Sequence, residues 1–226
     1  MKRSVIFLIL CCLLSSCSTL RTFTKGFQYA QMYEEKPLTL LVMPPINNTS
    51  HPEAKEYLYT SISHPLAEAG YYVISPLLAM DVLKSEDSYE AEYFYSAPLN
   101  DFYDRFGADA VVFSIIDMWT KLPTGIQTNI RYMIRSTHTD EVLFDRTCNL
   151  YLDLSGIPTE GGGLLGLVID VAAAAITTAT TDHIEAAREA NKLVFKDLPR
   201  GKYHPYHMKD MDFIAEDQVF DAHVKR

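Results

Sequence analysis

The sequence predicts an α/β domain with one mixed sheet, a parallel β-α-β part followed by an antiparallel hairpin, covered by helices. Three observations lead there. Leu38–Met43 and Ala110–Ile116 are short apolar runs, the pattern of strands buried on both faces of a parallel or mixed sheet. Segments of helical spacing follow the first run. Two later stretches, Ile126–Arg135 and Val142–Leu154, alternate with period two, which marks strands with one wet face.

In chain order, Leu38–Met43 is stopped by Pro44-Pro45, and Asn47–Ser50 reads as a loop. From Pro52 to Gly70, Tyr57, Leu58, Ile62, Leu66 and Ala69 fall on one helical face, and Gly70 stands where a C-terminal cap belongs. Tyr71–Ser75 is a second strand, parallel to the first by a right-handed crossover. Pro76–Lys84 and Pro98–Phe106 are short helical candidates, the second ending at Gly107, with an acidic surface loop over Ser85–Tyr95. Ala110–Ile116 is the best buried strand. Ser136–Glu141 joins the two alternating strands as a turn, so they form a hairpin, with Cys148 on its apolar face as a buried, inert thiol. After Gly161-Gly162-Gly163 a long helix is expected from Leu164 to about Lys192, apolar in its first half and charged in its second. Val194-Phe195 could begin another short element, and from Pro199 the chain reads as a polar tail.

The beginning of the chain has a different character. Lys2 and Arg3 precede an apolar run, Val5 to Leu14, and then Ser15-Ser16-Cys17. These are the cationic, apolar and small-residue parts of a secretory signal, and the run is too short for the roughly 20 apolar residues of a membrane span. Leu14–Cys17 resembles the lipobox of bacterial lipoproteins. The resemblance implies cleavage before Cys17, diacylglycerol on its thiol and acylation of the new amine; the alternative is an ordinary secretory signal with a chance cysteine. Two or more acyl chains anchor a protein stably at ~0.8 kcal/mol per buried CH₂. Ser18, in place of the Asp that retains lipoproteins in the inner membrane, fits the periplasmic side of the outer membrane. The expected organisation is therefore a signal peptide over 1–16, a lipidated N-terminus and tether over 17–36, the α/β domain over 37–198 and a C-terminal tail over 199–226. A short docked helix carrying Phe27, Tyr29, Met32 and Tyr33 is the alternative to the tether.

The formal charge of −9 becomes −11 when Lys2 and Arg3 leave with the signal, which argues against nucleic acid as a partner. With Cys17 acylated, Cys148 has no cysteine left to bond with.

The order of these elements, with Gly107–Asp117 (GADAVVFSIID) and Gly161–Ile176 (GGGLLGLVIDVAAAAI), resembles a family of bacterial lipoproteins catalogued as a domain of unknown function, with a neisserial surface-antigen candidate as its best-known member. The resemblance implies a fold like the N-terminal domain of TolB and the curli secretion channel lipoprotein. It also implies work in envelope transport or assembly, and it supplies no catalytic residues.

The sequence has no G-x-S-x-G, H-E-x-x-H, G-x-x-x-x-G-K or C-x-x-C. The triple glycine lacks a following Lys and reads as a hinge. His204 and His207, with Asp210 or Asp212, could share a metal, but a tail pinned by Tyr203, Tyr206 and the prolines is the simpler reading. Asp101, Asp104 and Asp109 read as surface carboxylates. Leu164–Ile176, at ~20 Å of helix, falls short of the ~30 Å hydrocarbon core and is interrupted by Asp170. It is a buried helix, an oligomer interface or a membrane-inserting segment.

The expected function is that of a non-enzymatic accessory part of an envelope transport, secretion or assembly complex. The alternative is an outer-membrane lipoprotein that binds and regulates a cell-wall synthesis enzyme. Cys17 is the one expected site, the bilayer and other envelope proteins or lipoproteins are the expected partners, a homo-oligomer is possible, and no catalytic residue, metal or cofactor is expected.

Overall fold

The computed structural model describes residues 22–85, 90–155 and 183–225. The signal sequence, Cys17, the triple glycine and Leu164–Ile176 lie outside the described residues. The fold is the α/β class expected, and among the described residues it is built on one mixed sheet of seven strands. These are β1 (Thr39–Val42), β2 (Ile46–Asn47), β3 (Tyr72–Val73), β4 (Ala110–Leu122), β5 (Gly125–Ser136), β6 (Val142–Asp153) and β7 (Val219–Lys225), in the order β3-β1-β4-β5-β6-β7 with β2 also paired to β4. β1 runs parallel to both β3 and β4, β4-β5-β6 is an antiparallel meander, and β7 returns parallel to β6.

The apolar runs lie where two layers meet. Leu40 and Val42 face the main core while Leu41 and Met43 face a second, smaller one, and all are essentially without exposure. Each such side chain contributes roughly 1.5–3 kcal/mol by leaving water. The main core takes the even-numbered side chains of β5 and β6, among them Ile130, Tyr132, Cys148 and Leu150. It is covered by α3 (Glu53–Ser61), α4 (Ser63–Glu68) and the helix through 183–195. The second core, around Val111 and Phe113, is covered by α5 (Pro76–Ser85), α6 (Ala91–Phe94) and α7 (Asn100–Phe106).

Several expectations are corrected. The helix over 52–70 is two helices, because Pro65 has no N–H for the Ser61 carbonyl; the Ser61 hydroxyl turns back to the Tyr57 carbonyl at 2.7 Å. Asn47 is not loop but the end of β2, in register with Ile116. β4 runs on to Leu122 through a bulge between Ile116 and Met118, and turns through Pro123-Thr124 into β5. Val194 and Phe195 close a helix instead of beginning an element. The stretch 17–36 is not a tether throughout: α1 (Lys25–Gln28) and α2 (Ala30–Glu35) dock on the domain, burying Tyr29, Met32 and Tyr33 and leaving Phe27 outside. The polar tail expected over 199–226 holds a strand of the sheet. Phe220, Ala222 and Val224 alternate onto the core side of the sheet as β7, and the segment before it is stitched down at Gly201, whose N–H donates to the Ala69 carbonyl at 2.8 Å.

Candidate interaction surface

The two ends of the domain are held together by buried charge. Asp197, beyond the helix through 183–195, accepts the Tyr29 hydroxyl at 2.6 Å and the Glu216 N–H at 3.1 Å, and pairs with the Lys25 ammonium at 3.4 Å. Burial holds the Lys25 pKa below its usual value even though Asp197 pulls it up. Tyr29 is pushed well above the ordinary tyrosine range, first by burial and then by its bond to Asp197. Gln218 donates to the Tyr29 oxygen at 3.1 Å. Arg146 projects from β6 into the same region, donating to the carbonyls of Val194 (2.8 Å) and Asp217, with its guanidinium 4.4 Å from the Phe220 ring centre. N-terminal helices, sheet and C-terminal strand are thus one unit.

The other side of the sheet is only half covered. Over part of β5, β6 and β7, the odd-numbered residues of 127–131, 145–153 and 219–225 form an open, largely polar face, and cross-strand register arranges them in rows. Asn129, Asn149 and Asp221 make one ladder, in which the Asn129 amide donates to Asn149 and the Asn149 amide to Asp221 at 2.9 Å. Arg131 grips Asp145 through two nitrogens, Nε at 2.9 Å. Tyr151 shares a hydrogen bond with Thr124 at 2.7 Å, and its ring lies 5.1 Å from that of His223. His223 in turn lies 3.7 Å from Asp153. The face is a fixed array of donors, acceptors and charges, bounded by β7 as an edge strand. These side chains are held by one another and present no nucleophile beside a base. They can recognise another polar surface.

A second concavity, an open groove of about 680 Å³, lies between α3–α4 and the helix through 183–195, lined by Tyr57, His64, Arg188 and Lys192 among others. Its charges are largely matched within its own wall, Arg188 by Glu185 and Lys192 by Glu189.

His204, His207 and Asp210, grouped by the sequence as a metal candidate, each bond to the backbone. His204 Nδ1 accepts the Tyr206 N–H, His207 Nδ1 donates to the Arg200 carbonyl at 2.8 Å, and buried Asp210 accepts the Arg200 N–H at 3.0 Å, while Asp212 is exposed. Among the described residues no cluster of His, Cys, Asp and Glu gathers with metal-ligand geometry. Cys148 is buried on the apolar face as expected, and burial pushes its thiol up to about 12. Asp109 is more than a surface carboxylate, since one of its oxygens accepts the N–H groups of both Leu38 and Thr39 at 2.9 Å, fixing the start of β1. β7 was missed because the tail is polar overall, although the period of two in Val219–Lys225 was there to be read.

No helix of the described residues is long and apolar enough to cross a membrane. Residues 27–201 match the family model described as "Putative lipoprotein GNA1162-like". A curated lipoprotein of Neisseria meningitidis serogroup B is 28% identical over 113 residues, 50% of this chain and 52% of that one, so the match spans about half the length of that relative. The crystal structure of lipoprotein GNA1162 from Neisseria meningitidis aligns with 64% of this chain and 99% of its own, at 19% identity and a TM-score of 0.49. A PelC dodecamer from Paraburkholderia phytofirmans aligns over 74% of this chain and 90% of its own, at 12% identity and a TM-score of 0.39.

Proposed function

Because the chain belongs to the GNA1162-like family of lipoproteins, proteins of the cell envelope, we propose that it is a lipid-anchored, non-enzymatic component of an envelope transport, secretion or assembly complex. Cys17 carries the lipid, and the domain sits on the periplasmic side of the outer membrane. The observation that carries the reading is the open polar face of β5, β6 and β7 beside a sheet edge. A rigid sheet that presents prearranged donors and acceptors recognises another protein with little ordering cost.

The anchor also explains a feature of the fold. Five residues separate Cys17 from Phe23, at most roughly 20 Å of chain, so the docked N-terminal helices hold the domain close to the bilayer.

The test uses cells fed a clickable palmitate analogue, followed by crosslinking, solubilisation and capture of the full chain, with Cys17→Ala alongside. The expected result is label on the wild type only, and envelope lipoproteins captured in a fixed ratio by the wild type and not by Cys17→Ala. Equal labelling of both chains would remove the anchor. Capture of a cell-wall synthase would replace the assembly role with a regulatory one, and a wild type captured alone would refute both.

A further inference from the structure

We propose that β7 pairs with β7 of a second copy of this chain, antiparallel about a twofold axis through Ala222, joining two sheets into one. The inference rests on strand geometry and stands apart from the anchoring of Cys17.

β7 ends the sheet order, and among the described residues nothing pairs with its outer side. Its hydrogen-bonding frame is fixed by the bond from the Thr147 N–H to the Gln218 carbonyl at 2.7 Å, together with the parallel register Thr147↔Val219. In a parallel ladder, residues of the same parity as Gln218 turn both backbone groups toward β6. Phe220, Ala222 and Val224 therefore face inward along the ladder. Val219, Asp221, His223 and Lys225 direct their N–H and C=O outward.

That frame permits a symmetric partner. An isologous twofold pair places residue i opposite j and j opposite i. With the axis at Ala222, Asp221 lies opposite His223, and Val219 opposite Lys225. All four belong to the outward-bonding set, so each pair exchanges two backbone hydrogen bonds. Phe220 lies opposite Val224 on the core side, an apolar pair flanking Ala222 against itself. On the open side, acid meets imidazole twice, a favourable cross-strand pairing.

Neighbouring registers are worse. A slip of two residues one way sets Asp221 against Asp221, like charges directly opposed. The slip the other way sets His223 against His223, imidazole on imidazole, and loses the acid–imidazole pairs. Natural edges are usually blunted by proline, a bulge, an inward charge or exposed charges such as Lys. β7 has no proline, bulge or inward charge; its Asp221, His223 and Lys225 lie on the open face, where the twofold sets Asp221 against His223, and its backbone continues in register with β6 throughout.

The test uses the full chain in detergent micelles. Ala222 sits at a pair without backbone hydrogen bonds, where Cα atoms lie about 4.5 Å apart, within the range a disulfide spans. Ala222→Cys is therefore expected to give a disulfide-linked dimer on mild oxidation, and Asp221→Cys to give at least roughly tenfold less. Both are made in Cys17→Ala as well, so that a free thiol at position 17 is not mistaken for the contact. His223→Pro removes an outward N–H together with the imidazole opposite Asp221, and it spares the β6 ladder because the lost N–H points away from it. It is expected to weaken self-association, read as mass by sedimentation, at least roughly tenfold while keeping the thermal midpoint. Equal crosslinking at 221 and 222, or a monomeric wild type, overturns the proposal. So does a His223→Pro chain that folds and still dimerises; if that variant does not fold, the cysteine comparison decides.

Discussion

Replacing Asp197 by Ala should damage the domain more than any surface substitution, and the reason can be followed atom by atom. Asp197 is 2% exposed and its partner Lys25 only 7%. Removing the carboxylate leaves a buried ammonium without its counter-charge, a Tyr29 hydroxyl without its 2.6 Å acceptor and a Glu216 N–H without its own. Each hydrogen bond to a charged group contributes roughly 1.5–3 kcal/mol. Breaking a buried pair from one side typically costs about 3–5 kcal/mol in all, because the remaining buried charge loses its compensation. For a domain of this size that corresponds to a fall of roughly 6–20 °C in Tm. Asp197→Asn keeps an acceptor for Tyr29 and Glu216 and should lose less. The double variant Lys25→Met with Asp197→Leu should regain most of the loss, because it removes both charges together. Circular dichroism during heating reads all three. An Asp197→Ala chain melting within about 2 °C of wild type would refute the reasoning.

Four other outcomes follow from the same structure. Burial raises the pKa of Tyr29, Tyr33, Tyr59, Tyr71 and Tyr132 above the unfolded value near 10, so their contribution is whole below pH ~10 and is lost as pH rises beyond it, at about 1.4 kcal/mol per unit for each tyrosine. Absorbance at 295 nm should show these tyrosines ionising only as the circular dichroism collapses; ionisation near pH 10 with the fold intact would contradict this. Gly70→Ala and Gly107→Ala separate strain from space. Both positions have positive φ, but a Cβ at Gly70 would lie 2.5 Å from the His204 nitrogen while one at Gly107 meets nothing within 4 Å, so the first should lose more than ~3 kcal/mol and the second about 1–2 in denaturant titrations. Cys148 should react with iodoacetamide only at the rate of unfolding, which mass spectrometry can follow against denaturant. Asp109→Ala removes the acceptor of two N–H groups and should lower stability by about 1–3 kcal/mol, visible as faster amide exchange at Leu38 and Thr39.

The parts of the fold legible in the sequence were those where one physical cause set the pattern. Gly125–Ser136 and Val142–Asp153 fall within a residue or so of their predicted bounds because each has one wet and one dry face. The far half of β4 was hidden by its bulge: Ile116 faces the main core and so does Trp119, three residues on, so no period of two survives. The N-terminal helices have no clean period because neighbours bury them unevenly, Tyr29 and Tyr33 inside and Phe27 out. The clasp around Asp197 could not be read at all, since Lys25 and Tyr29 lie some 170 positions before it and nothing local marks them as partners. Of the candidate surface, the polar positions of the hairpin were visible, but their continuation into β7 depended on a strand concealed in a polar tail.

The chain segment around Thr24 pairs with that around Ile214, the Lys25 N–H donating to the Phe213 carbonyl at 2.7 Å. Segments about 190 positions apart thus serve as mutual templates, and loop-closure entropy must be met before either is rewarded. Until Met211–Lys225 is in place, α1 lacks its backbone partners there, β6 lacks β7, Arg146 lacks the Asp217 carbonyl and Asp197 lacks the Glu216 N–H. In refolding from denaturant, the docking of α1 is therefore expected to wait on the segment around Phe213 and Ile214.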